Sequence, residues 1–307
     1  MNAPRDPEAN VHRDVPAGLH ACRRPAASAQ TGIALALGGG FSRGFAHLGV
    51  LEVLEQERIP ISAIVGTSIG AMLGAAYADG ISVRELCDLG RRVRVRDFLR
   101  FHQAEQNERR KDRIGQFVQE WFGATLVEEL LIPTAIVATD LTTGAPYVFT
   151  SGPLDLAIRA SCAFPGLVKP VECDGRLLAD GCIVAPVPTA IAARMNGGCV
   201  LGVSVGSSAV GGASSAKGTS VRMQASRLRA SHRIALEPSW TRHADVLLEP
   251  AVQHIEWNDF TRVDEAFDAG AQAATRALPS LRELLERSSR LAPVAGAPFP
   301  VERGLAL

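Results

Sequence analysis

The chain has 307 residues, 47% hydrophobic and 21% charged, enough apolar material for a sizeable core in one large domain or two small ones. Lys+Arg and Asp+Glu both number 32, which excludes a general nucleic-acid binder and confines any anion or membrane contact to a local patch. No window offers the roughly 18 apolar residues of a spanning helix, the N-terminus lacks the apolar stretch of a signal peptide, and six scattered cysteines form no CxxC pair; a soluble cytoplasmic protein with reduced thiols and no zinc site is expected.

Residues 1–30 are polar and Pro/Ala-rich and read as a disordered tail. The run Ile33 to Leu37 is short and apolar and ends at Gly38-Gly39-Gly40, as a buried strand would. Phe45, Leu48, Leu51 and Leu54 then recur at helical spacing until Ile59-Pro60. Ile61 to Val65 reads as a second buried strand, and a helical stretch through Met72, Leu73, Ala76 and Tyr77 follows it up to Asp79-Gly80. Further strands are expected at Thr134 to Leu141, Tyr147 to Thr150, Val200 to Val205 and Asp245 to Leu248. A hairpin is expected around Asp174-Gly175. Asp259 to Glu286 reads as a long helix or helix pair, with Pro279 as a break or fresh start. This alternation predicts an α/β fold, a three-layer α/β/α arrangement on a mainly parallel sheet, over residues 31–287, with 288–307 as a C-terminal tail.

Two turns carry candidate chemistry. Gly66-Thr67-Ser68-Ile69-Gly70 is a G-x-S-x-G between strand and helix, the context in which a sharp turn exposes a nucleophilic Ser68; the plainer reading is that Ser68 caps the helix. Gly38 to Gly44, also between strand and helix, would leave backbone N–H groups facing an oxyanion or a phosphate. A dinucleotide fingerprint fits less well, because Arg43 stands at the third glycine position and no acidic residue ends the second strand. A serine nucleophile needs a base. His102, His232, His243 and His254 have no distinctive setting, while Asp180 and Asp140 each end a strand and compete for the role.

The set Gly38 to Gly44, Gly66 to Gly70 and Asp180-Gly181, with Ile158 to Gly166 between them, resembles the patatin-like phospholipases, especially the compact bacterial members related to the catalytic domain of neuropathy target esterase. The likeness covers Ile33 to Gly206 well and the C-terminal third loosely. It implies a Ser68–Asp180 dyad without histidine. It also implies an oxyanion hole from the loop Gly38, Gly39, Gly40, Phe41 and Arg43, with support from Gly66, Gly70 and Gly181. The implied substrates are lipid or other acyl esters, cleaved without metal or cofactor; the alternative is a lipid-binding or regulatory protein on the same fold. Cys182 stands where the family usually has Gly or Ala, and reads either as a small buried residue or as a thiol that sensitises the site to oxidation.

Arg91 to Arg113 carries nine Lys/Arg against four Asp/Glu with Val93, Val95, Phe98, Leu99 and Phe101 interleaved. It is expected either as a flap on anionic head groups, giving peripheral membrane contact, or as a solvated helix face. The Gly/Ser-rich run Gly206 to Ser220 reads as a flexible loop, and the arginines up to Arg233 share the mixed character of the first segment.

Overall fold

The computed structural model describes residues 32–92, 122, 124–165, 167–196, 198–206 and 240–291. The expectations for the N-terminal tail, the basic segment after Arg92, the Gly/Ser-rich run after Gly206, its following arginines, His102 and His232 fall outside these residues.

Strands β1 (Ile33–Leu37), β2 (Ile61–Thr67) and β3 (Thr134–Asp140) are buried along their whole length. This is why they read as apolar runs and not as a polar–apolar alternation. Within them, Ile33, Leu35, Leu37, Ile64 and Ile136 face one layer, and Ala34, Ala36, Ala63, Val65, Ala135 and Val137 face the other. Helices α1 (Ala46–Gln56), α2 (Ile69–Ala78), α3 (Val83–Arg92), α4 (Leu154–Ser161) and α6 (Val263–Leu291) contribute to the first layer. Helix α5 (Thr189–Asn196) covers the second through Ile191 and Ala192.

The sheet is mixed but mostly parallel, as expected for the three-layer α/β/α class. β2, β1, β7 (Val200–Val203) and β8 (Val246–Leu248) pair in parallel in that order, and β2 also pairs in parallel with β3. β3 is antiparallel to β4 (Pro146–Phe149) and to β6 (Arg176–Asp180), which forms a hairpin with β5 (Val171–Cys173). Asp174 and Gly175 at its turn both have positive φ, 50° and 72°, the geometry that a two-residue hairpin favours.

One feature of the pairing positions the site. β4 lies against residues 136–139 of β3, so β2 (against 134–137) and β6 (against 138–140) must share the opposite edge end to end. Thr67 therefore faces Val137 while Asp180 faces the next residue, Ala138. The end of a parallel strand and the end of an antiparallel strand meet at one point.

Helix α6 runs unbroken through Pro279 to Leu291, against the expected break. The buried side chains of Ala273, Ala274, Leu278 and Leu281, on both sides of the proline, anchor the helix to the core and outweigh the local penalty of about 3 kcal/mol. Upstream, α6 crosses α1 in backbone contact. A Cβ on Gly49 would fall 2.0 Å from the Phe267 carbonyl oxygen, and one on Gly270 would fall 1.9 Å from that of Ala46. Neither neighbour is a side chain that can swing aside. Gly270→Ala is expected to destabilise the protein by about 3 kcal/mol, read as a lower urea midpoint at unchanged slope.

Candidate active site

Ser68 sits between β2 and α2 with φ 55° and ψ −124°, a backbone conformation that L residues rarely hold. The turn is tight because its glycines admit backbone on all sides. A Cβ on Gly66 would lie 2.3 Å from Ala71 Cα, one on Gly70 would lie 2.3 Å from the Leu37 carbonyl oxygen, and one on Gly181 would lie 2.2 Å from that of Val137. Ser161 at the end of α4 pins the elbow, accepting the Ser68 N–H at 2.8 Å and donating to the Val137 carbonyl at 2.6 Å. Thr67 Oγ1 donates to the Ala185 carbonyl at 3.0 Å. No side chain caps α2 at Ser68, so the capping alternative does not describe this serine.

The Ser68 hydroxyl donates to Asp180 Oδ2 at 2.7 Å, and the other carboxylate oxygen, Oδ1, accepts the Cys182 N–H at 2.8 Å. Asp180 is fully buried. Its backbone is held by its own N–H to the Ala163 carbonyl and by Thr139 Oγ1 donating to its carbonyl at 2.8 Å. Burial pushes the Asp180 carboxyl up to about 6, although the Cys182 N–H and the Ser68 hydroxyl pull the other way. Asp140, the competitor from the sequence, is occupied elsewhere. It accepts N–H bonds from Thr142 and Thr143 and an ion-paired bond from Arg176 at 2.6 Å. Burial opposes its ionisation, but those donors together hold it below the usual carboxylate range. His254 is exposed and paired with Glu265 at 2.5 Å, and His243 lies exposed in the turn Trp240–His243.

The glycine loop lies across Ser68. A Cβ on Gly39 would come within 3.2 Å of Ser68 Cβ and 2.0 Å of Cys182 Sγ. The Gly38 N–H donates to the Val203 carbonyl and the Gly39 N–H to that of Pro186, whereas the Gly40 and Phe41 N–H groups have no hydrogen-bond partner among the described residues. Among the described residues the loop thus keeps two N–H donors without a partner. The Arg43 side chain reaches a distant segment, its Nε donating to the Ile255 carbonyl at 2.7 Å and its Nη2 to that of Gln253 at 3.3 Å. Ser42 adds its N–H to the Trp257 carbonyl and its hydroxyl to that of Glu256. Four carbonyls of a segment more than 200 residues away thus clamp the loop.

His47, missed in the sequence, braces the loop from behind: fully buried in α1, its Nε2–H donates to the Gly38 carbonyl at 2.7 Å. Burial pushes its pKa down to about 4, with the Gly38 carbonyl pulling upward, so it stays neutral through the physiological range. A lone polar residue in the apolar stripe of α1 was the signal available for it.

Two thiols, those of Cys162 and Cys182, flank the pair. Burial first and the Asp180 charge second push both well above the ordinary thiol range. The thiolate is the reactive form. Iodoacetamide at pH 7.5 is therefore expected to leave Cys162 and Cys182 largely unmodified, read by mass spectrometry of the treated protein.

Among the described residues no helix is long and apolar enough to cross a membrane. Arg91, at the end of α3, pairs with Asp88 and with Asp264 of α6.

A structural likeness to VipD from Legionella pneumophila has a TM-score of 0.46 at 13% identity, covering 83% of this chain and 68% of that one. An uncharacterized NTE family protein of Mycobacterium tuberculosis is 39% identical over 200 residues, 64% of this chain and 55% of the relative. The human patatin-like phospholipase domain-containing protein 6 is 33% identical over 183 residues, 57% of this chain and 13% of the relative. The chain thus spans about half or less of these curated relatives. A model of the family described as patatin-like phospholipase matches residues 35–193, taking in the elbow, the glycine loop and Asp180, and on that match the chain belongs to the patatin-like phospholipase family.

Proposed function

We propose that the protein is a serine hydrolase of lipid acyl esters, of the phospholipase A, lysophospholipase or esterase type, working through Ser68 and Asp180. The observation that carries this reading is the 2.7 Å hydrogen bond between a serine on a strained elbow and a fully buried carboxylate. The family and the names of its relatives support an ester of a lipid as substrate.

The steps follow from the groups present. Ser68 Oγ attacks the ester carbonyl carbon as its proton passes to Asp180 Oδ2. The Gly40 and Phe41 N–H groups donate to the developing oxyanion, and the N-terminus of α2 adds its dipole. Collapse breaks the bond to the alcohol oxygen, which leaves with the proton from Asp180. Water then attacks the acyl-serine, its proton going to Asp180, and the carboxylic acid departs as Ser68 recovers its own. A base with a pKa of about 6 suits this work, being ionised at neutral pH yet basic enough to take a proton in passing.

The test is hydrolysis of p-nitrophenyl butyrate and of lysophosphatidylcholine from pH 4 to 9. The expected kcat/KM falls about tenfold per pH unit below an apparent pKa close to 6 and is flat above it. No hydrolysis of either ester at any pH would transfer the protein to the lipid-binding alternative.

A further inference from the structure

Three aromatic rings meet at the glycine loop. Phe41 meets Phe164 edge-on at 5.4 Å between centroids and Trp257 at 5.0 Å. Phe41 follows directly on Gly40 in the glycine loop. Phe164 follows Ala163, whose carbonyl accepts the Asp180 N–H. Two of the three rings thus belong to segments that reach the pair, Phe41 through the glycine loop and Phe164 through the residue bonded to Asp180. Phe164 is buried, whereas Phe41 and Trp257 are only partly covered.

Two of these rings are kept at a local cost. Phe41 has φ 53°, in the left-handed region where a glycine would sit without strain. The Trp257 indole nitrogen is buried without a hydrogen-bond partner among the described residues, a penalty that a phenylalanine would not carry. Departures from local preference concentrate where function requires a surface. The surface they offer is apolar, and the ester of the proposed reaction belongs on one side to a hydrocarbon chain.

We infer that Phe41, Phe164 and Trp257 form the wall on which the substrate's acyl chain lies, so that Trp257, outside the segment matched by the family model, sets the chain-length preference. The inference rests on the hydrolase reading above.

The test holds the leaving group constant and varies the acyl chain. The readout is the ratio of kcat/KM for p-nitrophenyl decanoate to that for p-nitrophenyl acetate, compared between proteins. In Trp257→Ala this ratio is expected to fall about tenfold, mainly through KM for decanoate. In Trp257→Phe, which keeps a ring and loses only an unpaired N–H, it is expected to stay within about twofold. An unchanged ratio in Trp257→Ala overturns the inference and assigns the rings to the alcohol side or to packing alone.

A binding arm covers a variant that fails to fold and a wild type that fails to turn over. Decanoate added to Ser68→Ala is expected to shift the indole emission, and the same addition to Ser68→Ala/Trp257→Phe is expected to shift it far less. Equal shifts in the two proteins overturn the wall without reference to catalysis. An absence of turnover accompanied by a Trp257-dependent shift overturns the hydrolase reading and leaves the wall standing.

Discussion

Ser68→Ala and Asp180→Asn are each expected to lower kcat for a soluble ester by at least about 10³-fold, and the double variant little further, because the two groups act as one unit. The consequences for stability run in the opposite direction. Burial pushes the folded Asp180 carboxyl from the ordinary 3.8 up to about 6, so the folded state binds its proton more tightly than the unfolded chain. The penalty of ionising it is absent below the unfolded value, accumulates as the pH rises through about 6, and is constant above. Asparagine keeps an oxygen for the Cys182 N–H and removes that charge. Asp180→Asn is expected to be more stable than wild type by roughly 2–3 kcal/mol at pH 8, with the difference vanishing towards pH 4. Urea unfolding at the two pH values reads it. A variant that is both inactive and less stable at pH 8 would show that the carboxylate is held as a structural anion and not as a base.

Gly39→Ala is expected to cost about 10²–10³-fold in kcat while leaving the circular dichroism spectrum unchanged. The new methyl would meet Cys182 Sγ at 2.0 Å, so the loop must lift and carry the Gly40 and Phe41 N–H groups away from the oxyanion position. Removing the sulfur relieves the clash. Gly39→Ala/Cys182→Ala is expected to recover part of the loss, giving a coupling well outside additivity. The recovery stays incomplete, because the same methyl still lies 3.2 Å from Ser68 Cβ. Additive losses would place the loop's working donors elsewhere.

What was legible in the sequence is what local chemistry dictates. β1, β2 and β3 were readable because burial on both faces demands unbroken apolar runs, and the β5–β6 turn because Asp174-Gly175 suits positive φ at both positions. Ser68 and the glycine loop were readable because a strand-to-helix turn that tight tolerates few side chains. The choice of carboxylate needed more than local pattern: Asp140 and Asp180 both end strands of β3's neighbourhood, and only the shared edge of β3 brings Asp180 to Ser68. Ser161, His47 and the carbonyls that hold Arg43 are contacts of tertiary structure without a sequence period of their own. Pro279 misled because its local penalty was set against a helix whose burial only the folded molecule reveals.

The clamp on the glycine loop also has a consequence in time. Strands β1 to β7, the elbow and Asp180 all lie before residue 204, while the carbonyls that fix Ser42 and Arg43 belong to residues 253–257 and the helix that crosses α1 ends at Leu291. During synthesis from the N-terminus, Ser68 and Asp180 can meet while the loop beside them is still unsecured. The loop is then secured only once residues 253–257 have been made, so a ribosome that stalls before them leaves Ser68 and Asp180 beside an unclamped glycine loop.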